Sequence, residues 1–373
     1  MSHERIHRFL DEQRPPTPCL VVDTRVVTAR VREFAEGLPH ARLCYAVKAN
    51  PEPAVLRAVL AAGGGFDVAS PGEITACLAE GARPEALSYG NTIKKPADIA
   101  FAHACGVREF TTDAESDVER LARHAPGASV SVRVLVDAPR SATPFGRKFG
   151  CRPAEAVALL ARAAALGLDP AGLAFHVGSQ QPDVSAWEHG IAMAAKVFAE
   201  LAGLGIRLRR LDIGGGFGIS YQETVPPLSD YLTAVRRALD AYFPGGAPEL
   251  VLEPGRAIVA EAGLIRTEVV LVAQRGPHRW VYVDIGRYNG LAETENEAIK
   301  YRFGGPPGDR GPVVLAGPTC DGDDVLYQHT PCELPLALAP GDQLDILDAG
   351  AYTASYSSVS FNGIEPLRTY CLE

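Results

Sequence analysis

The sequence contains no apolar run approaching the ~20 residues that a membrane-spanning helix needs. Its opening stretch, residues 1–15, is polar and charged and lacks the apolar centre of a secretory signal, so neither membrane insertion nor export is expected. Positive charge is also short. Against 45 Asp and Glu stand 36 Lys and Arg, a formal net charge of −9, and the basic residues form no cluster. That balance argues against a nucleic-acid or other polyanionic partner. The eight cysteines, at 19, 44, 77, 105, 151, 320, 332 and 371, show no paired metal-ligand spacing, so no metal is expected. In a chain of 373 residues they read as reduced thiols of a cytoplasmic protein, most of them buried and inert. Also missing is a Gly-x-Gly-x-x-Gly opening a helix after an early strand, which weighs against a doubly wound dinucleotide-binding sheet.

What is present is an ordinary globular composition, 47% hydrophobic and 22% charged, at a length that suggests two domains. A short strand at 17–22 precedes a first helix near 24–38. From residue 43 strand and helix patterns alternate. Strands are predicted at 43–47, 66–69, 86–89, 107–111, 130–136, 173–177, 208–213 and 249–253, with helical runs such as 71–79, 115–124, 154–166, 187–204 and 229–242 between them. Gly81, Gly167 and Gly205 stand where helix C-terminal caps belong. Eight strands, most followed by a helix, over a span near the ~250 residues usual for the fold, point to an α/β protein built on a (β/α)8 barrel. After Gly263 the texture changes to short β-rich runs at 265–273, 279–285, 312–315, 334–338 and 343–347, separated by Gly and Pro, with a turn near 293–301. The expected organisation is a barrel over 24–262 and an all-β domain, sandwich-like or Greek-key, from 1–23 and 263–373.

The chemistry centres on Lys48, which follows the apolar run Leu43-Cys44-Tyr45-Ala46-Val47 and precedes the helix-starting prolines 51 and 53. A lysine at such a strand end is either a solvated tip or an amine held to form a Schiff base with a carbonyl cofactor. Asp67 and Glu73 follow at a distance that could bring them beside its ammonium. Glu73 also completes a capping box, Ser70-Pro71-Gly72-Glu73, and both roles stay open. Three further segments end late strands, where such barrels place their active sites. His176, in Phe175-His176-Val177-Gly178-Ser179, is either a core histidine or a site residue. Gly214-Gly215-Gly216 exposes backbone N–H groups suited to a phosphate. Glu253-Pro254-Gly255-Arg256 brings a carboxylate able to keep a pyridine nitrogen protonated, and a guanidinium suited to a phosphate fork. Lysine, phosphate site and acid together suggest pyridoxal phosphate. In the β domain, Gly317 to Asp324 concentrates the Cys320 thiol and three carboxylates in a turn without calcium-loop spacing. Tyr352 follows a strand and, taken alone, reads as a packing residue.

These residues and their order resemble the alanine-racemase-fold pyridoxal-phosphate decarboxylases, the group of ornithine, lysine, arginine and diaminopimelate decarboxylases. The likeness runs from Tyr45-Ala46-Val47-Lys48 to Phe361-Asn362-Gly363. It implies a barrel plus a β domain in a head-to-tail homodimer with two shared sites, acting on a small amino-acid substrate. It implies that Lys48 carries the coenzyme, that Asp67, Glu73 and Arg133 surround it, that His176 stacks on the ring and that Glu253 meets the ring nitrogen. Ser179, Gly214, Gly215, Gly216, Gly255, Arg256 and Tyr352 would hold the phosphate. Cys320, given by the partner subunit, would reprotonate the α-carbon, and Asp321, with Phe361 nearby, would receive a distal amine. Thr319-Cys320-Asp321 resembles the ornithine type, whereas diaminopimelate enzymes look like Cys-Glu-Ser-Gly-Asp there. One departure stands out. The stretch after the family's Val-Asn-Asp-Gly strand holds no Tyr-Asp pair, and Glu293 or Glu297 is the expected substitute. The implied activity is decarboxylation of ornithine or lysine to a diamine. Diaminopimelate, a conjugated or tethered intermediate, a same-fold racemase and a catalytically silent regulatory homologue are the alternatives.

Overall fold

The structure, a computed structural model, describes residues 3–137, 140–142 and 148–373. The chain folds into two compact units. One comprises Met1–Val27, Ile219–Thr224 and Arg256–Glu373, the other Thr28–Gly218 and Val225–Gly255.

The second unit is the barrel. After β1 (Cys19–Asp23), which belongs to the other unit, come β2 (Ala41–Ala46), β3 (Gly65–Val68), β4 (Leu87–Tyr89), β5 (Glu109–Thr112), β6 (Ser129–Arg133), β7 (Asp169–Ala174), β8 (Arg210–Asp212) and β9 (Glu249–Leu252). Each pairs in parallel with the next, and β9 pairs with β2 to close the ring. Closure places all eight strand C-termini at one mouth, where the loops carrying the candidate residues begin. The helices between them start and stop on local signals. Pro stands in the first turn of Pro53–Ala61, Pro71–Ala79, Pro96–Ala104 and Pro153–Ala165. Gly81, Gly167 and Gly205 take positive φ just past their helices, as caps do.

The first unit is mostly sheet. Here β10 (Gly263–Arg275), β11 (His278–Val283), β12 (Arg302–Gly304), β13 (Arg310–Ala316), β14 (Val325–Pro335) and β15 (Gln343–Leu347) run in the order β12-β15-β10-β11-β13-β14. The first half of β10 pairs with β1 and β15. Past a bulge between Val269 and Leu271 its second half pairs with β11. The last strand, β16 (Arg368–Leu372), lies parallel to β1. An N-terminal helix, Glu4–Gln13, buries Ile6 and Leu10 against Cys19, Val21 and Leu264. Its polar composition hid this helix, since two apolar positions four apart suffice to dock it.

Candidate active site

Lys48 lies in a single 3-10 turn, Val47–Ala49, just past the end of β2. Tyr45 secures that turn by donating its hydroxyl to the Asn50 carbonyl, 3.1 Å, and Ala46 N–H bonds the Pro254 carbonyl at 3.2 Å. The side chain is 54% exposed, so the amine stands in the barrel mouth and is not sunk in the core. Its Nζ is 3.9 Å from Asp67 Oδ2 at the end of β3. Gly90, after β4, makes room for this acid: a Cβ there would collide with Asp67 Oδ1 and come within 3.0 Å of Glu253 Oε1. Asp67 and Glu253 therefore converge on one spot. Burial raises the Asp67 carboxyl to about 7, Glu253 adds to the shift, and Lys48 and Arg133 oppose it. Glu73 takes the capping role at the start of Pro71–Ala79. Its N–H donates to Ser70 Oγ at 3.3 Å, and its Oε2 accepts from Ala69 N at 2.7 Å, one residue earlier than the usual reciprocal bond. Burial raises Glu73 to about 7 as well, with the charges of Asp67 and Lys48 acting on it.

His176 follows β7. Its Nδ1 accepts the Gly178 N–H at 2.9 Å, so the neutral ring carries its proton on Nε2. Desolvation first, then Arg133 and Lys48, hold the imidazole well below its ordinary pKa. The 214–216 turn is packed, not flexible. Gly214 and Gly216 have φ of +66° and +97°. A Cβ on Gly214 would sit 2.5 Å from Phe175 O, one on Gly215 would collide with Glu253 O, and one on Gly216 with Gly178 O. Ser179 belongs to the loop pressed against this turn, for Gln181 N–H bonds Gly216 O at 2.9 Å. Glu253 follows β9 and hydrogen-bonds Asp212, which ends β8. Burial and the Asp212 charge push Glu253 well above the carboxyl range, and burial raises Asp212 to about 6. The two carboxyls thus titrate as a pair that shares a proton. Asp212 and Gly90 are the residues that sequence reasoning missed. For Asp212 a signal existed, because an Asp two residues before a Gly commonly accepts that residue's N–H.

The remaining candidates lie in the sheet unit. Arg256, buried, gives both Nη atoms to Glu293, at 2.8 and 2.6 Å, and one also to Tyr221 OH at 3.2 Å. Its guanidinium stands 5.0 Å from the Tyr352 ring centre, and Tyr352 has φ +54°. Glu293, expected at a substrate, is therefore engaged through both oxygens as the counter-ion of Arg256. Glu297 Oε1 accepts the N–H groups of His329 and Thr330 at 2.6 and 3.1 Å. In the 317–324 turn Asp324 is the organiser, buried and accepting from Arg287 N, Thr319 N and Thr319 Oγ1 at 2.7–3.0 Å. It leaves Cys320 exposed and Asp321 half-buried, the latter accepting the Asp323 N–H at 2.8 Å. Asn362 Nδ2 donates to Cys320 Sγ at 3.2 Å, and the Tyr288 hydroxyl hydrogen-bonds Asp321. Phe361 stacks on Tyr288 with ring centres 4.3 Å apart. Beside them is a cavity of about 380 Å³ lined by Tyr288, Glu295, Asp323 and Tyr356 among others. Among the described residues no group of His, Cys, Asp and Glu is arranged to hold a metal ion.

Comparison with known proteins bears on this arrangement. The family profile described as "Pyridoxal-dependent decarboxylase, pyridoxal binding domain" matches residues 24–260. The lysine/ornithine decarboxylase of Selenomonas ruminantium is 34% identical over 355 residues, covering 94% of this chain and 88% of that protein. The diaminopimelate decarboxylase of Pseudomonas aeruginosa is 34% identical over 363 residues, covering 93% and 85%. The crystal structure of the Vibrio vulnificus lysine/ornithine decarboxylase with putrescine matches with a TM-score of 0.89 at 30% identity, covering 99% of this chain and 98% of that one. A closed parallel barrel with an amine, a proton-bearing acid and a glycine turn at its mouth, a second unit of sheet, and relatives matched over nearly their whole length agree: this chain belongs to the pyridoxal-phosphate-dependent decarboxylases of the alanine-racemase fold.

Proposed function

We propose that this decarboxylase acts on a basic amino acid of the lysine or ornithine type, releasing carbon dioxide and a diamine, as a cytoplasmic homodimer whose two sites are shared. Overall identity does not separate this substrate class from diaminopimelate, since both kinds of relative stand at 34%. The 319–321 turn carries the choice. Asp321 is half-buried next to the exposed Cys320, is oriented by the Asp323 N–H at 2.8 Å and the Tyr288 hydroxyl, and meets no cation at ion-pair distance among the described residues. A lone carboxylate of this kind suits an ammonium. A substrate with a distal carboxylate as well would need a cation or further donors beside it.

The barrel mouth fits the family's coenzyme. Its amine is accessible, its acid bears a proton, its imidazole is neutral, and its glycine turn is too close to neighbouring backbone for any side chain. When bound, pyridoxal phosphate supplies the electron sink that decarboxylation needs. In this chain Lys48 offers the amine, with Asp67 at 3.9 Å to balance its charge. Glu253 would face a ring nitrogen and, ionised there, keep that nitrogen protonated. His176 offers a flat, uncharged face fixed by its bond to Gly178. Gly214, Gly215 and Gly216, with Ser179, Gly255, Arg256 and Tyr352, would hold the phosphate, and Arg133 adds positive charge near the acids. The Cys320 thiol would return a proton to the α-carbon, while Asp321 holds the far amine.

Carbon-dioxide release by the purified holoenzyme, over L- and D-ornithine, lysine, arginine and diaminopimelate, tests the reading. Release from L-ornithine or L-lysine, abolished by Lys48→Ala, is the expected result. Preferential release from diaminopimelate, or none from any amino acid despite a bound-coenzyme absorbance band, would overturn it.

A further inference from the structure

We propose that Asp212 is a positioning residue that locks the Glu253 carboxyl to the 214–216 glycine turn, so that one carboxylate sets both the acid for the coenzyme nitrogen and the cradle for its phosphate. The inference rests on the family's coenzyme and is independent of which amino acid is the substrate. The connection is a closed ring of four links. Asp212, 4% exposed, accepts the Gly214 N–H through Oδ1 at 2.8 Å. The peptide continues to the Gly214 carbonyl, which accepts the Glu253 N–H at 2.9 Å. From there the Glu253 side chain returns to hydrogen-bond Asp212.

The ring has little slack. Gly214 is held in the left-handed region, and a Cβ would bring it to 2.5 Å from Phe175 O and 3.0 Å from His176 Cδ2. Phe175 N–H in turn bonds the Asp212 carbonyl at 3.0 Å, so the residue before His176 is tied to the same point. Moving the Asp212 carboxylate therefore moves the turn, the acid and the backbone entering His176 together. Two buried carboxyls in contact cannot both ionise without a large cost, so the pair shares a proton. Asp67, Lys48 and Arg133 act on Glu253, while Asp67 and Arg42 act on Asp212. The Cys44 thiol also lies near both acids. Asp212 works through Glu253 and Gly214, and this separates it from the groups that meet the coenzyme.

The test compares Asp212→Asn and Asp212→Ala with the unaltered protein. Each apoprotein is titrated with pyridoxal phosphate and with phosphate-free pyridoxal across a range of pH, and thermal unfolding is followed alongside. Asp212→Ala removes the anchor of the turn. It is expected to weaken pyridoxal phosphate roughly 30-fold, the size of one charge-assisted bond, and pyridoxal much less. Asp212→Asn can still accept from Gly214 but presents an amide to Glu253. It is expected to hold pyridoxal phosphate within about threefold at its best pH. It also relieves the repulsion that keeps Glu253 protonated, so its binding profile moves to lower pH. An unchanged pH profile in Asp212→Asn would overturn the proposal, as would equal losses for the two ligands in Asp212→Ala. If Asp212→Ala does not fold, the Asp212→Asn profile decides alone.

Discussion

A half-buried carboxylate beside a thiol does different work according to what orients it, and at Asp321 the orienting groups are the Asp323 N–H and the Tyr288 hydroxyl, the latter's ring stacked on Phe361. If Asp321 holds the distal amine, Asp321→Asn raises KM for lysine or ornithine by roughly tenfold or more with a smaller change in kcat, as loss of a charge-assisted contact does. Steady-state kinetics on both substrates check this, and an unchanged KM removes Asp321 from the substrate site. The barrel acids support a second prediction. Asp67 and Glu73 titrate near 7 in the folded protein, above their unfolded values, so between about pH 4 and pH 7 the native state binds more protons than the unfolded one. Their contribution to stability is complete at the acid end of that window and is lost as pH rises through 7. The apoprotein's Tm is therefore expected to fall from pH 5.5 to pH 8, and Glu73→Gln to flatten the fall, in thermal unfolding at fixed ionic strength. Lys48, Glu253 and the three glycines were legible in sequence because each is chemically unusual at a strand end. Gly90 was not, and Asp212 showed only its local Asp-x-Gly signal. Their roles come from which strand end lies beside which, a property of barrel closure and not of local pattern. The same holds for Glu293, whose pairing with Arg256 joins residues 37 apart.

At the scale of elements, the face opposite the site is closed by charge. Arg42 near the start of β2, and Glu109, Arg210 and Glu249 opening β5, β8 and β9, form a ring of ion pairs. Arg42 and Arg210 each contact both Glu109 and Glu249. Arg210 and Glu109 are only 9% and 17% exposed, so removing one acid strands partly buried guanidinium groups. Glu109→Ala is expected to cost about 3 kcal/mol in chemical denaturation while leaving kcat and coenzyme affinity unchanged. An equal loss of activity in the folded variant would contradict the separation of a stabilising floor from a catalytic mouth. Element positions were read well where the barrel imposes a rhythm. The predicted strand at 66–69 became Gly65–Val68, and that at 343–347 is Gln343–Leu347. They were read poorly where one face meets solvent. The long strand β14 was anticipated only at its end, because its middle, Gln328 to Pro331, is exposed and polar and shows no buried face. The terminal strand β16 was missed too, and its placement depends on β1, which lies some 350 residues earlier.

At the scale of the molecule, the candidate chemistry is divided between two compact units. Lys48, Asp67, His176, Asp212 and Glu253 belong to the barrel, and Cys320, Asp321, Tyr352 and Arg256 to the sheet unit. A division of this kind permits sites built within one chain or across two, and the two arrangements answer differently to mixing. If each site takes its lysine from one subunit and its thiol from the other, Lys48→Ala and Cys320→Ala homodimers are both impaired at every site. A mixed dimer then carries both lesions in one site and none in the other. Random exchange at equal amounts makes about half of the dimers mixed, each with one intact site of two, so activity returns to about a quarter of the unaltered enzyme. If each site is built within a single chain, every site in every dimer keeps one lesion and mixing restores nothing. Sedimentation of the mixture, to establish that dimers form and exchange, and carbon-dioxide release before and after mixing make the comparison. Recovery toward one quarter supports the shared site, and its absence under demonstrated exchange assigns the whole reaction to one chain.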